Sequence, residues 1–277
     1  MLKRLTLILS ILLIISSFKP KKISWVAIGD SITYLNDHPN ETGNRITKGY
    51  MTMVTEKMPN ISYENKGYNG WTSGTIANKI EELNLKPADI YTVFLGTNDW
   101  WQGRPIGNLS DYDQKTGSKT IFGSFRIIID KINQLNPNAK ILLFTPLQRG
   151  DFVYISNAKN NAYGSYKNKK DQSLAQVADA IIEIGEFEKI QVIDLYYKSK
   201  INQKNMVKFK WLKDSLSGEY KKYKYPKYID KPFKPGIDEY PYPTESINMT
   251  YDGLHPSDKG YKVITKMILK EFKKLDI

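Results

Sequence analysis

Residues Ile23–Ser31 read ISWVAIGDS: a short apolar run rich in β-branched and aromatic residues, stopped by Gly29-Asp30-Ser31. Apolar on both faces and too short for a buried helix, the run predicts a strand inside a parallel sheet, with Gly29 turning the chain sharply at its end. In open α/β sheets the working residues stand just beyond the carboxyl ends of the strands, and Ser31 falls at that place. Two roles fit it there. It can be a nucleophile, or it can cap the following helix, since Ser is a favoured N-cap.

The same punctuation recurs downstream. Ile61–Lys66 is a second strand candidate and runs into Gly67-Tyr68-Asn69-Gly70-Trp71-Thr72, a turn leading to a helix over Ile76–Leu85 capped by Thr72 or Ser73. Ile90–Leu95 (IYTVFL) is a third strand, ending in Gly96-Thr97-Asn98-Asp99 and then Trp100-Trp101. Lys140–Thr145 and Ile190–Leu195 supply a fourth and a fifth. Helical spacing fills the intervals at Ile46–Met58, Thr120–Leu135 and Lys170–Glu188, and again at the end from Asp258 to about Lys274, where Ile264, Met267, Ile268 and Phe272 share a face. Strands alternating with helices at short intervals predict right-handed βαβ crossovers and a parallel sheet covered on both faces, a three-layer α/β/α domain. Residues 102–118 and 147–169 read as loops. Tyr196–Thr250, crowded with Lys, Tyr and Pro, reads as a long excursion from the sheet with one possible helix near Asn202–Leu216.

Composition narrows the chemistry. The chain has 277 residues, no Cys and two His, His38 and His255. Disulfides, thiolate metal sites and cysteine nucleophiles are therefore excluded, and a multi-histidine metal site is not expected. His38 sits in a polar loop beside Pro39 and reads as an exposed loop residue. The net charge of +12 is spread over many lysines and forms no nucleic-acid-binding motif. No nucleic-acid partner is expected; contact of the basic excursion with an anionic polysaccharide or a membrane surface is a further expectation. Met1–Arg4 is a basic start followed by the uncharged, mostly apolar run Leu5–Phe18. That is the anatomy of a signal peptide or an N-terminal anchor over residues 1–18, and it predicts that the domain over 19–277 works outside the cytoplasm, secreted, periplasmic or anchored.

A serine hydroxyl needs a base to become a nucleophile, the base needs an orienting partner, and the tetrahedral intermediate needs preorganised donors. Asp252-Gly253-Leu254-His255-Pro256, just before the last helix, places a carboxylate and an imidazole on one loop. Glycine turns and Asn amides at neighbouring strand ends can supply the donors. With these parts in order, the chain resembles the SGNH hydrolases, also called the GDSL esterase/lipase family. The resemblance rests on Gly29-Asp30-Ser31, on the Asn-x-Gly-x-x-Gly pattern Asn65–Gly70, on Gly96-Thr97-Asn98-Asp99 and on Asp252-x-x-His255-Pro256. Ile32 stands where the family's eponymous motif has Leu.

The resemblance implies a flavodoxin-like sheet of five parallel strands in the order 2-1-3-4-5. It implies Ser31 as nucleophile, His255 as general base, Asp252 as its partner, and an oxyanion hole from the Ser31 and Gly70 backbone amides and the Asn98 side chain. It implies ester hydrolysis by two-step acyl transfer without a metal or organic cofactor. Trp71, Trp100 and Trp101, next to the second and third motifs, are candidates for an aromatic platform, with core use of at least one as the alternative. Aromatic faces and an export signal together favour O-deacetylation of an extracellular or cell-wall carbohydrate. A lysophospholipase- or thioesterase-like lipid esterase is the alternative. A glycan-binding surface protein without turnover is the alternative of another class.

Overall fold

The structure, a computed structural model, describes residues 21–275; the segment expected to direct export lies outside them. The expected five-stranded sheet is there, all parallel. It consists of β1 (Ile23–Gly29), β2 (Ile61–Gly67), β3 (Ile90–Phe94), β4 (Lys140–Phe144) and β7 (Gln191–Ile193), in the order β2-β1-β3-β4-β7. Its fifth strand is β7 because two short ladders lie outside the sheet and pair antiparallel. They are β5 (Phe152–Val153) with β6 (Asn161–Ala162), and β8 (Lys210–Lys213) with β9 (Tyr220–Tyr223).

The helices in chain order are α1 (Ser31–Tyr34), α2 (Tyr50–Thr55), α3 (Ser73–Asn78), α4 (Thr97–Gln102), α5 (Leu109–Asp113), α6 (Ile121–Leu135), α7 (Leu174–Glu188), α8 (Leu195–Lys198) and α9 (Asp258–Phe272). Among the described residues no helix is long and apolar enough to cross a membrane.

Side chains alternate across β1, so the strand feeds two cores. Trp25 and Ala27 pack with Tyr50 of α2 and with Tyr261, Ile264, Ile268 and Phe272 of α9. Val26 and Ile28 face Ile76 of α3, Phe125 and Ile129 of α6, and Val177 and Ile181 of α7. Each fully buried side chain of this size contributes about 1.5–3 kcal/mol. Trp25 also satisfies its indole N–H with Thr92 Oγ1 at 2.9 Å, as a buried tryptophan should.

Register, more than composition, builds the site. Gly29 aligns with Gly67 on one side and Phe94 on the other; Phe94 aligns with Phe144, and Phe144 with Ile193. All five strands therefore stop along one edge, and the segments that follow them emerge side by side.

Several boundaries differ from expectation for identifiable reasons. The helix expected over Ile46–Met58 starts only at Tyr50, because Gly49 is extended as its N-cap and passes close against Asn36. Residues 102–118 are not all loop: Asn108 and Asp111 form a capping box that starts α5, one turn too short to show a period. The helix expected near Asn202–Leu216 does not form. Asn202–Asn205 makes a turn, and Lys210–Lys213 pairs with β9 as the strand β8 instead.

Candidate active site

The first motif is held by its own backbone. Asp30, not Ser31, caps α1 and accepts from the Ile32 amide at 3.0 Å. This corrects the alternative of Ser31 as a cap; Ser31 is the first residue of the helix and its side chain is left for other work. Gly29 is required because a Cβ there would fall 2.1 Å from Thr33 Oγ1. Asp30 is almost fully buried, and loss of water pushes its carboxyl up to about 7; Asp99 adds to the rise, while the Ile32 amide, His255 and Arg149 oppose it.

Ser31 meets the last loop. His255 Nε2 lies 2.8 Å from Ser31 Oγ, and His255 Nδ1 lies 2.7 Å from Asp252 Oδ2. The other Asp252 oxygen accepts from the amides of Leu254 (3.0 Å) and His255 (2.8 Å). Acceptance of the Nδ1 proton by Asp252 leaves Nε2 as the acceptor for the Ser31 hydroxyl. The imidazole is fixed further by Tyr251, whose ring stacks at 5.7 Å, and by the edge of Phe152 at 5.3 Å. Gly253 adopts φ +89°, and a Cβ there would sit 2.0 Å from the Asp151 carbonyl. Only glycine lets this loop press against the segment after β4.

The remaining donors stand on the neighbouring strand ends. The Asn65 side chain accepts from the Gly67 amide at 2.9 Å and donates to the Thr33 carbonyl and Asp37. It thereby clamps β2 to α1 and sets the turn that ends at Gly70, where φ is +75° and nothing lies within 4 Å of where a Cβ would stand. Asn98 is the second residue of α4. Its amide nitrogen donates to the Trp71 carbonyl at 3.0 Å, which leaves one N–H of that amide unused. Asp99 is fully buried and takes the Ser73 amide (3.0 and 2.9 Å) and hydroxyl (2.6 Å); Arg104 Nε lies 3.3 Å away, an ion pair without hydrogen-bond geometry. Burial still raises the Asp99 carboxyl above its ordinary range. Asp99 thus ties α4 to α3 from below the cleft.

Ser31, Gly70, Asn98 and His255 line one cleft of about 420 Å³, within the range of ligand pockets. The tryptophans separate. Trp101 lines the cleft. Trp100 does not: it is completely buried, packs in the core and donates its indole N–H to the Gln172 carbonyl at 3.1 Å. A platform role for Trp100 is thereby corrected, because helix α4 turns adjacent side chains about 100° apart. Trp71 stacks on Tyr68 at 4.2 Å and contributes its carbonyl to Asn98, outside the cleft lining. His38 is half-buried rather than exposed; its ring stacks on Tyr34 at 3.8 Å, its Nδ1 contacts the Tyr34 carbonyl, and it is outside the cleft lining.

The sequence reading had no place for Arg149, which also lines the cleft. It is buried, and burial pushes its guanidinium down to about 10 against the opposing pull of Asp252, Asp151 and Asp30, so it remains charged at neutral pH. Arg149 follows β4 by five residues, as Asn98 follows β3 by four. The strand-end rule could have pointed to it, had the loop after β4 carried a recognisable motif.

The GDSL-like Lipase/Acylhydrolase family matches this chain over residues 27–263. Among solved structures, a possible lipase from Chitinophaga pinensis is 57% identical, with a TM-score of 0.90 over 91% of this chain and 98% of that one. A protein from Lactobacillus plantarum is 17% identical, with a TM-score of 0.64 over 94% and 100%. An acetyl xylan esterase is 18% identical, with a TM-score of 0.53 over 90% and 99%. At these lower identities the likeness is one of fold. None of the curated proteins matches.

Proposed function

Because the chain belongs to the GDSL-like lipase/acylhydrolase family and is a serine ester hydrolase, we propose that it removes acetyl groups from an extracellular or cell-wall carbohydrate. Ser31 is the nucleophile: His255 Nε2 takes its proton as Oγ attacks the ester carbonyl. Asp252 holds the imidazole in the required tautomer and stabilises the imidazolium. The Ser31 and Gly70 amides and the free N–H of Asn98 receive the oxyanion. His255 then protonates the leaving alcohol, and in the second step it activates the water that frees the acid. No step needs a metal or an organic cofactor.

One observation carries the choice of substrate. Around Ser31 the cleft sets Trp101 and the hydrogen-bonding groups of Asn69, Gln102, Asn160 and Arg149 beside the apolar side chains of Leu35, Phe152 and Leu254. The polar groups and the Trp101 ring supply what a sugar alcohol needs, and the apolar side chains leave a place for the acyl group. The export segment expected at Met1–Phe18 belongs to the same proposal, as does contact of the lysine-rich stretch 196–250 with an anionic polysaccharide.

A lipid ester is the second reading, favoured by the description of the Chitinophaga pinensis relative as a possible lipase. Hydrolysis of p-nitrophenyl acetate against p-nitrophenyl octanoate separates the two, with Ser31→Ala as control. Serine-dependent turnover that falls as the acyl chain grows is expected. A preference for octanoate would move the substrate to lipid esters. Glycan binding without turnover in the parent protein would leave only a binding role.

A further inference from the structure

Arg149 is a buried cation without a matched anion. Its relative exposure is 1%. Its Nε has no hydrogen-bond partner, and among the described residues no side-chain hydrogen bond or ion pair involves its guanidinium. The carboxylates around it are engaged elsewhere. Asp252 holds His255 and two amides, Asp30 the Ile32 amide, and Asp151 Lys210, Tyr166 and the Gly164 amide. Glu41, across the cleft, accepts from the Tyr34 hydroxyl at 2.9 Å. Taking a charge out of water costs several kcal/mol unless something compensates it, and a buried polar group left unpaired in a cleft asks for a reason.

The side chain is also held still. Arg149 Cζ lies 5.5 Å from the Trp100 ring centroid and 5.6 Å from that of Trp101. Its carbonyl accepts from the Ser165 amide at 2.9 Å and hydroxyl at 3.0 Å. The next residue, Gly150, donates its amide to the Gly253 carbonyl at 2.7 Å, fixing the segment against the His255 loop. A second cation stands close by, with Lys169 Nζ 3.6 Å from the centroid of the Trp101 ring. The cleft thus presents a preorganised planar fork of N–H donors near Ser31, with a second cation next to it.

We propose that Arg149 recognises a carboxylate on the sugar that bears the scissile acetyl group, so that the substrate is an acetylated acidic carbohydrate of the uronic-acid type. The inference rests on the deacetylase reading and deepens it. A guanidinium matches a carboxylate with two parallel hydrogen bonds, and the pair would supply the anion this buried cation lacks. Arg149 in this role determines specificity and does not touch the reacting carbonyl.

The test compares two mono-acetylated methyl glycosides, a glucuronoside and a glucoside, that differ only in carboxylate against hydroxymethyl. In the wild-type protein kcat/KM for the acid should exceed that for the neutral sugar about 10- to 100-fold, the size of a charge-assisted hydrogen-bonded pair. Arg149→Gln should bring that ratio to within about threefold of unity, whatever it does to the two rates individually. A wild-type ratio near one, or a ratio that survives in Arg149→Gln, overturns the proposal. Equal loss on both sugars with the ratio kept would assign Arg149 to electrostatic support of Asp252 and overturn it too.

Should the variant fail to fold, the wild-type protein still decides. The unacetylated methyl glucuronoside should inhibit p-nitrophenyl acetate hydrolysis competitively at a concentration at least about tenfold lower than the methyl glucoside. Equal inhibition overturns the proposal. Turnover of both acetylated sugars at one rate removes this inference alone. Turnover of neither, with octanoate hydrolysed, removes the deacetylase reading and this inference with it.

Discussion

The two walls of the cleft are built by different means. One wall is the sheet edge: Ser31, Gly70 and Asn98 each stand within a few residues of a strand end, and Asn98 and Gln102 after β3 donate to the Trp71 and Gly70 carbonyls after β2. The other wall comes from the chain after β4, and it is braced by the irregular stretch 196–250. There the polar contacts span long sequence separations. Lys210 pairs with Asp151, Tyr242 donates to the Asp151 carbonyl, and Tyr240 donates to the Val153 carbonyl at 2.9 Å. The sheet edge carries Ser31, Gly70 and Asn98, and the Asp252–His255 loop, pressed against the segment after β4, reaches Ser31 from the other side. The braced wall carries Arg149, which lines the cleft, and Phe152, whose ring edge packs on His255. Variants at the sheet edge and in the stretch 196–250 should therefore fail differently.

The largest effects belong to the sheet edge and the His255 loop. Ser31→Ala should abolish ester turnover while leaving the thermal transition in place, because Ala is at least as good as Ser within α1. His255→Ala should cost a comparable factor, on the order of 10⁶ in kcat when triad residues act as a unit. Asp252→Asn should cost less, roughly 10⁴-fold, since it disturbs the tautomer and orientation rather than removing the base. Steady-state rates on p-nitrophenyl acetate check the order. A larger loss in Asp252→Asn than in His255→Ala would contradict the orienting role. Asn98→Ala should follow at roughly 100- to 1,000-fold in kcat, the size of one lost oxyanion donor. An unchanged kcat would take Asn98 out of the site.

The difference between the walls also explains what could be read from the sequence. A parallel strand buried on both faces announces itself by a continuous apolar run, and the Gly-terminated ends at Gly29, Gly67 and Gly96 mark where backbone must turn tightly. Hence the strands were legible, as were Ser31, Asp252 and His255, which the structure brings within hydrogen-bond distance. The expected strand order came from family resemblance, because alternation alone does not say which strand lies beside which. Trp100 and Trp101 show the limit of local reading. They are adjacent and chemically identical, and only the phase of a short helix sends one into the core and the other to the cleft. Arg149 was illegible for a different reason. Nothing in Thr145–Asp151 signals its burial, which depends on Ser165, Trp100 and the Gly253 loop closing around it.

A smaller effect is expected when the braced wall is loosened. Lys210 is buried and its ammonium faces Asp151, with the Tyr228 ring 4.7 Å away. Lys210→Met keeps the side chain's bulk but leaves Asp151 without its cation. Breaking such a pair typically costs about 3–5 kcal/mol; here the wall should open to protease between residues 196 and 250 before the sheet unfolds. Turnover of p-nitrophenyl acetate should fall by less than in Asn98→Ala. A loss as large as that would mean that the two walls are not separable.

The subtlest test lies beneath Ser31, where the walls share a charge. The Asp30 carboxyl is pushed up to about 7 by burial, against about 3.9 in an unfolded chain. Between those values the folded protein holds a proton that the unfolded chain has released, so stability declines as pH rises from about 4 to 7, by at most roughly 1.4 kcal/mol per pH unit. Below that window both states are protonated and the term is flat; above it both are ionised and the full penalty stands. Asp30→Asn removes the titration while an amide oxygen still caps α1, because Asn is as good an N-cap as Asp. Thermal unfolding followed from pH 4 to 8 should therefore show a shallower decline in Asp30→Asn than in the parent. Parallel curves would mean that Asp30 stays ionised throughout, balanced by His255 and Arg149, and would place the positive charge of the braced wall within effective reach of the sheet edge.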